Sequence, residues 1–381
     1  MPMTPWLRRA AIPLAGPLLL AGCDFAGLQS TLDPAGPIAQ AQLDLFMWSY
    51  WLSWIVIVAV FGVLAYVLLR FRRRASDPDR IPSQFHGSTK LEIGLTIIPV
   101  VIVILVAVPT VRTIWETEVR VVPEEGDVIV NVTGYQWWWR FEYPEHGVVT
   151  ANEMHIPVDR RVIVNLESAD VLHAFWVPRL AGKRDLIPNQ NNQLWFSADE
   201  TGEYYGQCAE LCLGAHAYMK FRVHVVEDER FDAWVDAFEA PSALPASDDP
   251  RVQRGRDLFA TKGCSTCHTI QDYRGEVPVG SSDFPNLTNF GLRTSLAAGV
   301  VDNTQENLET WLRDPQIFKP GNYMPKVWRE DDPDADEEIA AVAAYLLSLG
   351  SDAEELAFAS GGTDDVQAFR AAATGGDDGD R

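Results

Sequence analysis

The sequence predicts a multidomain membrane protein: a two-helix transmembrane hairpin, then a β-sandwich or β-barrel domain, then an all-α domain. Three observations carry this prediction. Two long uncharged runs lie in the first third of the chain. Charge is divided unevenly, with 9 Lys+Arg and 8 Asp+Glu in residues 1–119 against 22 and 45 in residues 120–381. Hydrophobic patterning then changes from short β-rich runs over 120–228 to helix-like spacing over 251–350. A length of 381 residues suits two or three domains. A net charge of −22 argues against a nucleic-acid partner, which would call for a basic face.

The N-terminus reads as a targeting segment. Arg8 and Arg9 precede a 13-residue uncharged run, too short to cross a hydrocarbon core of about 30 Å as a helix. Residues 1–22 are therefore expected to be a signal peptide. Its end, Leu20-Ala21-Gly22-Cys23, resembles a bacterial lipobox, which would leave Cys23 as a lipidated N-terminus. An ordinary signal or an unused cysteine is the alternative.

The hairpin is expected over 40–115. Leu45–Leu69 is a 25-residue run without charge, giving a span of about 46–69. Arg70, Arg72, Arg73 and Arg74 follow it, which places this end in the cytoplasm by the positive-inside rule. Nineteen uncharged residues between Glu92 and Arg112 form the second span, 93–111. Pro99 and Pro109 inside it require neighbouring protein to satisfy the carbonyls they free. The topology is out–in–out. Everything after Arg112 then faces the outer side of a bacterial inner membrane.

Residues 120–228 contain Asp127–Val132, Arg161–Leu166, Asn192–Ser197 and Lys220–Val226 as short β-rich runs punctuated by turn residues. Residues 229–250 have linker composition around Ala240–Ser247. Val252–Phe259, Gln305–Arg313 and Glu337–Leu349 have helical spacing. Residues 351–381, with 8 acidic and 2 basic residues, read as an acidic disordered tail.

Five cysteines, at 23, 208, 212, 264 and 267, are too few and too uneven for a disulfide scaffold. Cys208, Cys212, His216 and Met219 form a C-x3-C-x3-H-x2-M run between two expected strands. Thiolate and thioether donors select soft metals, and imidazole with thiolate suits copper. His173 is the best second histidine. Two Cys, two His and one Met make five side-chain donors. Structural zinc takes four, and mononuclear blue copper needs one Cys. Two bridged copper ions would use all five donors plus a backbone carbonyl, which Glu210 is placed to supply. A Cys208–Cys212 disulfide or a zinc loop is the alternative.

Around this loop, residues 40–228 resemble subunit II of haem–copper cytochrome c oxidases. The matching segments are Gly134–Trp139, Asn152–Val158, Asp170–Pro178 and Tyr204–Cys208. The resemblance implies a hairpin carrying a cupredoxin-like β-barrel. It also implies a dinuclear CuA centre held by His173, Cys208, the Glu210 carbonyl, Cys212, His216 and Met219. The Glu210 carboxylate would reach a magnesium ion shared with subunit I. Trp137 corresponds to the tryptophan through which electrons enter. Simple packing is the alternative for Trp137–Trp139, although three consecutive tryptophans cannot all face inward on one strand, so an exposed aromatic patch is expected. Glu92 precedes Thr96-Ile97-Ile98-Pro99, a pattern that in this family lies at the mouth of a proton-uptake path. A helix-capping charge is the alternative there.

Cys264-Ser265-Thr266-Cys267-His268 is a c-type haem attachment signature. Both thiols would bind the haem covalently and His268 would ligate its iron. After His268 the sequence contains no further His and one Met, so Met324 is the expected sixth ligand. Met324 as core filler is the alternative. With helical flanks, residues 251–350 suit a class I cytochrome c fold. The whole resembles a caa-type oxidase subunit II with a fused cytochrome c domain. That implies a proton-translocating oxidase whose oxygen-reducing site is on another subunit. Its partners would be subunit I and the other oxidase subunits, membrane lipid, and reduced cytochrome c or another donor. A quinol oxidase subunit would lack the copper donors, and a nitrous-oxide reductase would need a further domain. A membrane-anchored copper-binding or copper-delivery protein is the remaining alternative.

Overall fold

A computed structural model describes residues 27–72, 87–239, 248–272, 275–277 and 283–350. The signal peptide, the lipobox with Cys23, the 240–247 stretch and the 351–381 tail lie outside the described residues.

Helix α1 (Pro37–Arg70) and helix α2 (Thr89–Thr117) form the hairpin. At 34 residues α1 is roughly 50 Å long, so it overruns a hydrocarbon core of about 30 Å. Its first turn is anchored instead to the domain that follows. Ile38 and Ala39 are buried there. Ala35 N donates to Arg179 O at 2.7 Å, and Asp199 N donates to Ala35 O at 2.9 Å. Pro37 occupies the first turn, where its missing N–H costs nothing. In α2, Pro109 cannot donate to Leu105 O, one turn earlier. The Trp48 indole of α1 donates to that carbonyl at 2.9 Å, which is the compensation expected from the sequence.

The next domain has ten strands: β1 (Val128–Tyr135), β2 (Trp138–Tyr143), β3 (Val148–Ala151), β4 (Glu153–Pro157), β5 (Val162–Ser168), β6 (His173–Trp176), β7 (Arg184–Leu186), β8 (Asn192–Phe196), β9 (Gly202–Cys208) and β10 (Lys220–Val226). They form two five-stranded sheets, ordered β3-β2-β1-β5-β8 and β4-β10-β9-β6-β7. The pairs β1–β5 and β4–β10 are parallel. Strict alternation along β1 sends Val128, Val130 and Val132 inward. They meet Phe141, Phe175 and Phe221 in one core between the sheets. The two facing sheets are the cupredoxin-like domain that the family resemblance implies, in the form of a sandwich.

The linker expected over 229–250 begins differently. Helix α3 (Asp228–Glu239) packs Phe231, Trp234 and Val235 into the sandwich core. The Trp234 ring stacks on His155 at 4.4 Å and meets Tyr143 edge-on at 5.1 Å. The amphipathic stretch Phe231–Phe238 therefore belongs to the β-domain. Its apolar stripe needs a surface to cover, which a free linker would not provide.

The last domain contains helix α4 (Pro250–Thr261), short hairpins β11–β12 (Ile270–Asp272, Gly275–Val277) and β13–β14 (Ser295–Leu296, Val301–Asp302), helix α5 (Gln305–Arg313) and helix α6 (Ala335–Ser348). Asp249 caps α4 by accepting from Arg251 N at 2.8 Å. Thr304 caps α5 in the same way. Helices α4 and α6 cross at Gly255, where a Cβ would come within 2.0 Å of Ala341 O. Phe259, Leu308, Leu312, Val342 and Leu346 form the core beside this crossing.

Candidate metal centres

The first centre is built by two neighbouring strands and the loop after them. Strand β9 ends on Cys208, and β10 begins after Met219. Cys208 N donates to Met219 O at 2.9 Å, closing the base of the loop. Leu213 and Gly214 take left-handed conformations, with φ of +65° and +36°, which turns the loop back on itself. A short 3₁₀ turn, His216–Tyr218, then aims the last donors inward. Strand β6 pairs with β9 and brings His173 alongside.

The donors converge. Sγ of Cys208 lies 3.8 Å from Sγ of Cys212, 3.9 Å from His173 Nδ1 and 3.2 Å from Glu210 O. Sγ of Cys212 lies 3.5 Å from His216 Nδ1 and 3.8 Å from Met219 Sδ. Sulfurs 3.8 Å apart are separate thiols, since a disulfide closes to about 2.05 Å. His173, Cys208, Cys212 and Met219 are buried, while Glu210 is exposed. Among the described residues, His173, Cys208 and Cys212 are the group close enough to share a metal ion, with ligand atoms within 4.8 Å of one another. Five side-chain donors and one carbonyl in one buried place fit a two-copper site better than a four-ligand zinc site.

The electrostatics prepare the loop for a cation. The Cys208 thiol is held well below its ordinary range by the hydrogen bond from Cys212, and His173 and nearby amides add to this against the effect of burial. Cys212 moves the opposite way, because it supplies that bond. Burial would lower His173, but Asp170 and Cys208 outweigh it and raise its value. Asp170 Oδ1 accepts a hydrogen bond from His173 Nε2 at 2.7 Å, leaving Nδ1 turned toward the sulfurs.

Trp137 and Gln136 both donate to Cys212 O, at 3.0 and 2.8 Å. Trp137 therefore touches the donor loop through its indole. The expected exposed aromatic patch is not found: Trp137, Trp138 and Trp139 are 5%, 8% and 0% exposed. Two features account for this. Trp137 lies before β2 and escapes strand alternation. The C-terminal domain then covers what the sandwich leaves open, since Trp138 donates to Asp283 O at 3.3 Å and Tyr323 lies 4.6 Å from the Trp137 ring.

The second centre is a cavity of about 360 Å³ lined by Cys264, Cys267, His268 and Met324 together with core side chains such as Phe259 and Leu308. His268 Nδ1 donates to Pro285 O at 2.9 Å, so Nε2 stays free for a metal. Burial lowers the His268 value and favours the neutral, ligating form, and Arg293 acts in the same direction. Asn322 shapes the loop before Met324, accepting from Met324 N at 2.8 Å and donating to Lys319 O and Pro315 O. Paired thiols, a free imidazole nitrogen and a facing thioether on an apolar cavity fit a c-type haem.

Glu92 lies apart from both centres, exposed in the first turn of α2, where its carboxylate meets the positive end of the helix dipole. Sequence reasoning missed Lys319 and Tyr323 as contacts of Trp137. The Lys319 amino group is buried, which lowers its value to about 7, and it donates to Trp137 O. Nothing local marks a contact between residues 182 positions apart.

Comparison with known proteins gives three family matches. Residues 26–113 match the transmembrane domain of cytochrome c oxidase subunit II, residues 147–226 its periplasmic domain, and residues 252–350 cytochrome c. The chain is 40% identical over 336 residues to cytochrome c oxidase subunit 2 of Alkalihalophilus pseudofirmus, covering 87% of this chain and 94% of that protein. Identity to cytochrome c oxidase subunit 2 of Bacillus subtilis is 35% over 352 residues, covering 89% and 96%. Quinol oxidase subunit 2 of Bacillus cereus is 34% identical over 256 residues, covering 66% of this chain and 87% of that protein.

Proposed function

The chain belongs to the cytochrome c oxidase subunit II family, and from that premise we propose that it takes electrons from reduced cytochrome c or another donor and delivers them to catalytic subunit I, where oxygen is reduced to water with coupled proton pumping. It is a component of a haem–copper oxidase, anchored in the membrane by two helices, with a fused cytochrome c domain. The observation that most supports the proposed path is the meeting of His173 from β6 with Cys208, Cys212, His216, Met219 and the Glu210 carbonyl of one loop.

These six residues would hold dinuclear copper. Cys264 and Cys267 would bind haem c covalently, with His268 and Met324 on its iron. When bound, the two groups supply one-electron transfer without proton chemistry of their own. The rest is done by the protein. Asp170 and Pro285 O fix the orientation of His173 and His268. Burial keeps water from His173, Cys212 and Met219. Trp137 joins the loop to the cytochrome domain through its indole N–H and its ring.

The exposed side of the loop carries Leu211 and Leu213 at 70% and 65% exposure, next to Glu210 in the chain, and Leu172 before ligand His173 is 46% exposed. An apolar rim of this kind suits the contact with subunit I, and the Glu210 carboxylate would there reach a shared magnesium ion. Glu92 would serve proton uptake at the cytoplasmic end of α2, and Cys23 would carry lipid on the outer side of a bacterial inner membrane.

Affinity purification of the full chain from its own membranes tests this function. Co-purification of a large, many-helix subunit with oxygen uptake driven by reduced cytochrome c is the expected result, and Cys208→Ser should abolish the uptake. A chain that arrives alone with bound copper would instead support a copper-delivery role.

A further inference from the structure

The cytochrome domain rests on the sandwich through a matched set of polar residues. Parallel pairing of β4 and β10 places Glu153 directly beside Arg222. Antiparallel pairing of β13 and β14 places Ser295 directly beside Asp302. The two pairs meet. Glu153 Oε1 accepts from Ser295 N and Ser295 Oγ, both at 2.6 Å, and from Thr294 Oγ1 at 3.2 Å. Glu153 Oε2 accepts from Thr294 N at 3.1 Å. Arg222 Nη2 donates to Asp302 Oδ1 at 2.7 Å and lies 3.4 Å from Glu203 through Nη1. Glu153 and Arg222 are 2% and 4% exposed, so the Glu153 bonds are desolvated, and both sets are charge-assisted bonds between domains.

The hairpin between the pairs fits closely. Ala297, Ala298 and Gly299 all have positive φ, and a Cβ on Gly299 would come within 3.2 Å of the Phe221 backbone. The same docking sets Tyr323 on Trp137, Lys319 on Trp137 O and Gly321 against Gly214. Trp137 is consequently covered by the chain itself.

We propose that Glu153 and Arg222 are positioning residues that lock the cytochrome domain over Trp137, so that a soluble donor reaches this subunit through the tethered domain alone. Covalent tethering supports the lock, because it holds the domain at an effective concentration near the mM range. The proposal rests on the oxidase function above for its electron-transfer consequence, while the docking itself does not. Each transfer moves one electron, with the soluble donor oxidised by one and the tethered site reduced by one.

The test uses the full chain in detergent, as wild type, Glu153→Gln, and Asp302→Asn. Asp302 has a side chain 40% exposed, so its variant leaves both domain cores intact. Hydrogen exchange at the amides of Thr294 and Ser295 reads docking without reference to any metal. Protection in the wild type and at least tenfold faster exchange in both variants are expected. Flash reduction by a photosensitised soluble cytochrome c reads the consequence. The wild type should show haem reduction first and copper reduction only after it, and the variants should show a parallel direct copper phase. Unprotected amides in the wild type, unchanged exchange in both variants, or a direct copper phase in the wild type would overturn the lock. Absence of bound copper and haem would instead overturn the oxidase function, and the exchange data would still decide the docking.

Discussion

Gly214→Ala probes the joint between the donor loop and Trp137. A Cβ at Gly214 would lie 2.1 Å from Trp137 Cζ2 and 2.3 Å from Cη2, so the ring must move. It cannot retreat freely, because its other side meets Tyr323 and its N–H is bonded to Cys212 O. Overpacking of this kind costs about 1–3 kcal/mol. A left-handed alanine at φ +36° adds about 1 kcal/mol. Together they amount to about 2–4 kcal/mol, or a melting point lower by roughly 5–15 °C. Calorimetry of Gly214→Ala, Trp137→Ala and the double variant separates the two terms. If the ring is the obstacle, the double variant recovers about 1–3 kcal/mol relative to the sum of the singles. Strictly additive losses, or an unchanged melting point in Gly214→Ala, would refute the contact.

Three further outcomes are expected. Trp48→Phe leaves the Leu105 carbonyl freed by Pro109 unsatisfied, so hairpin stability in detergent should fall by about 0.6–1.7 kcal/mol in unfolding titrations. Phe221→Ala empties a fully buried position between the rings of Trp139 and Phe175, and denaturant unfolding should show a loss of about 3–5 kcal/mol. Acid should release the cytochrome domain. Burial would raise the Glu153 carboxyl, but His224 and Ser295 outweigh it and hold it at about 2, against an ordinary 4.5; His224 lies in the same domain, so Ser295 is the share that docking supplies. The support from Ser295 is present while the carboxylate is ionised and is lost as pH falls toward about 2 and the carboxylate takes up a proton. His155, His224 and Arg293 act on the carboxylate, and Glu203 pairs with His224 and Arg222 beside it, so Glu153→Gln is the control that removes its share. Small-angle scattering should show the wild-type radius of gyration rising across that window.

Legibility in the sequence followed the range of the signal. The donor loop from Cys208 to Met219 and the haem signature from Cys264 to His268 were visible because their donors are close in sequence. His173 lies 35 positions from Cys208; it is a candidate in the sequence and the family resemblance adds to it, but only β6–β9 pairing shows how it reaches the loop. The helix at Gln305–Arg313 and the strand at Lys220–Val226 were bounded as observed, since each has a clear period and a turn at either end. Helix α3 was visible as an amphipathic stretch, but the surface it covers was not. The tryptophan triplet was misjudged because a two-residue period says nothing about a second domain closing over it. Glu153, Arg222, Lys319 and Tyr323 had no local signal at all. Their partners come from the other domain, and an isolated charge in sequence reads as a solvated one.

The central claim is that one chain carries a two-copper site and a covalent haem side by side. It is tested most directly by metal analysis and electron paramagnetic resonance on the purified full chain. Two coppers per haem, with one unpaired electron shared between them, is the expected result. One copper, or zinc, per haem would contradict the dinuclear assignment, and with it the role given to Cys208, Cys212 and Met219.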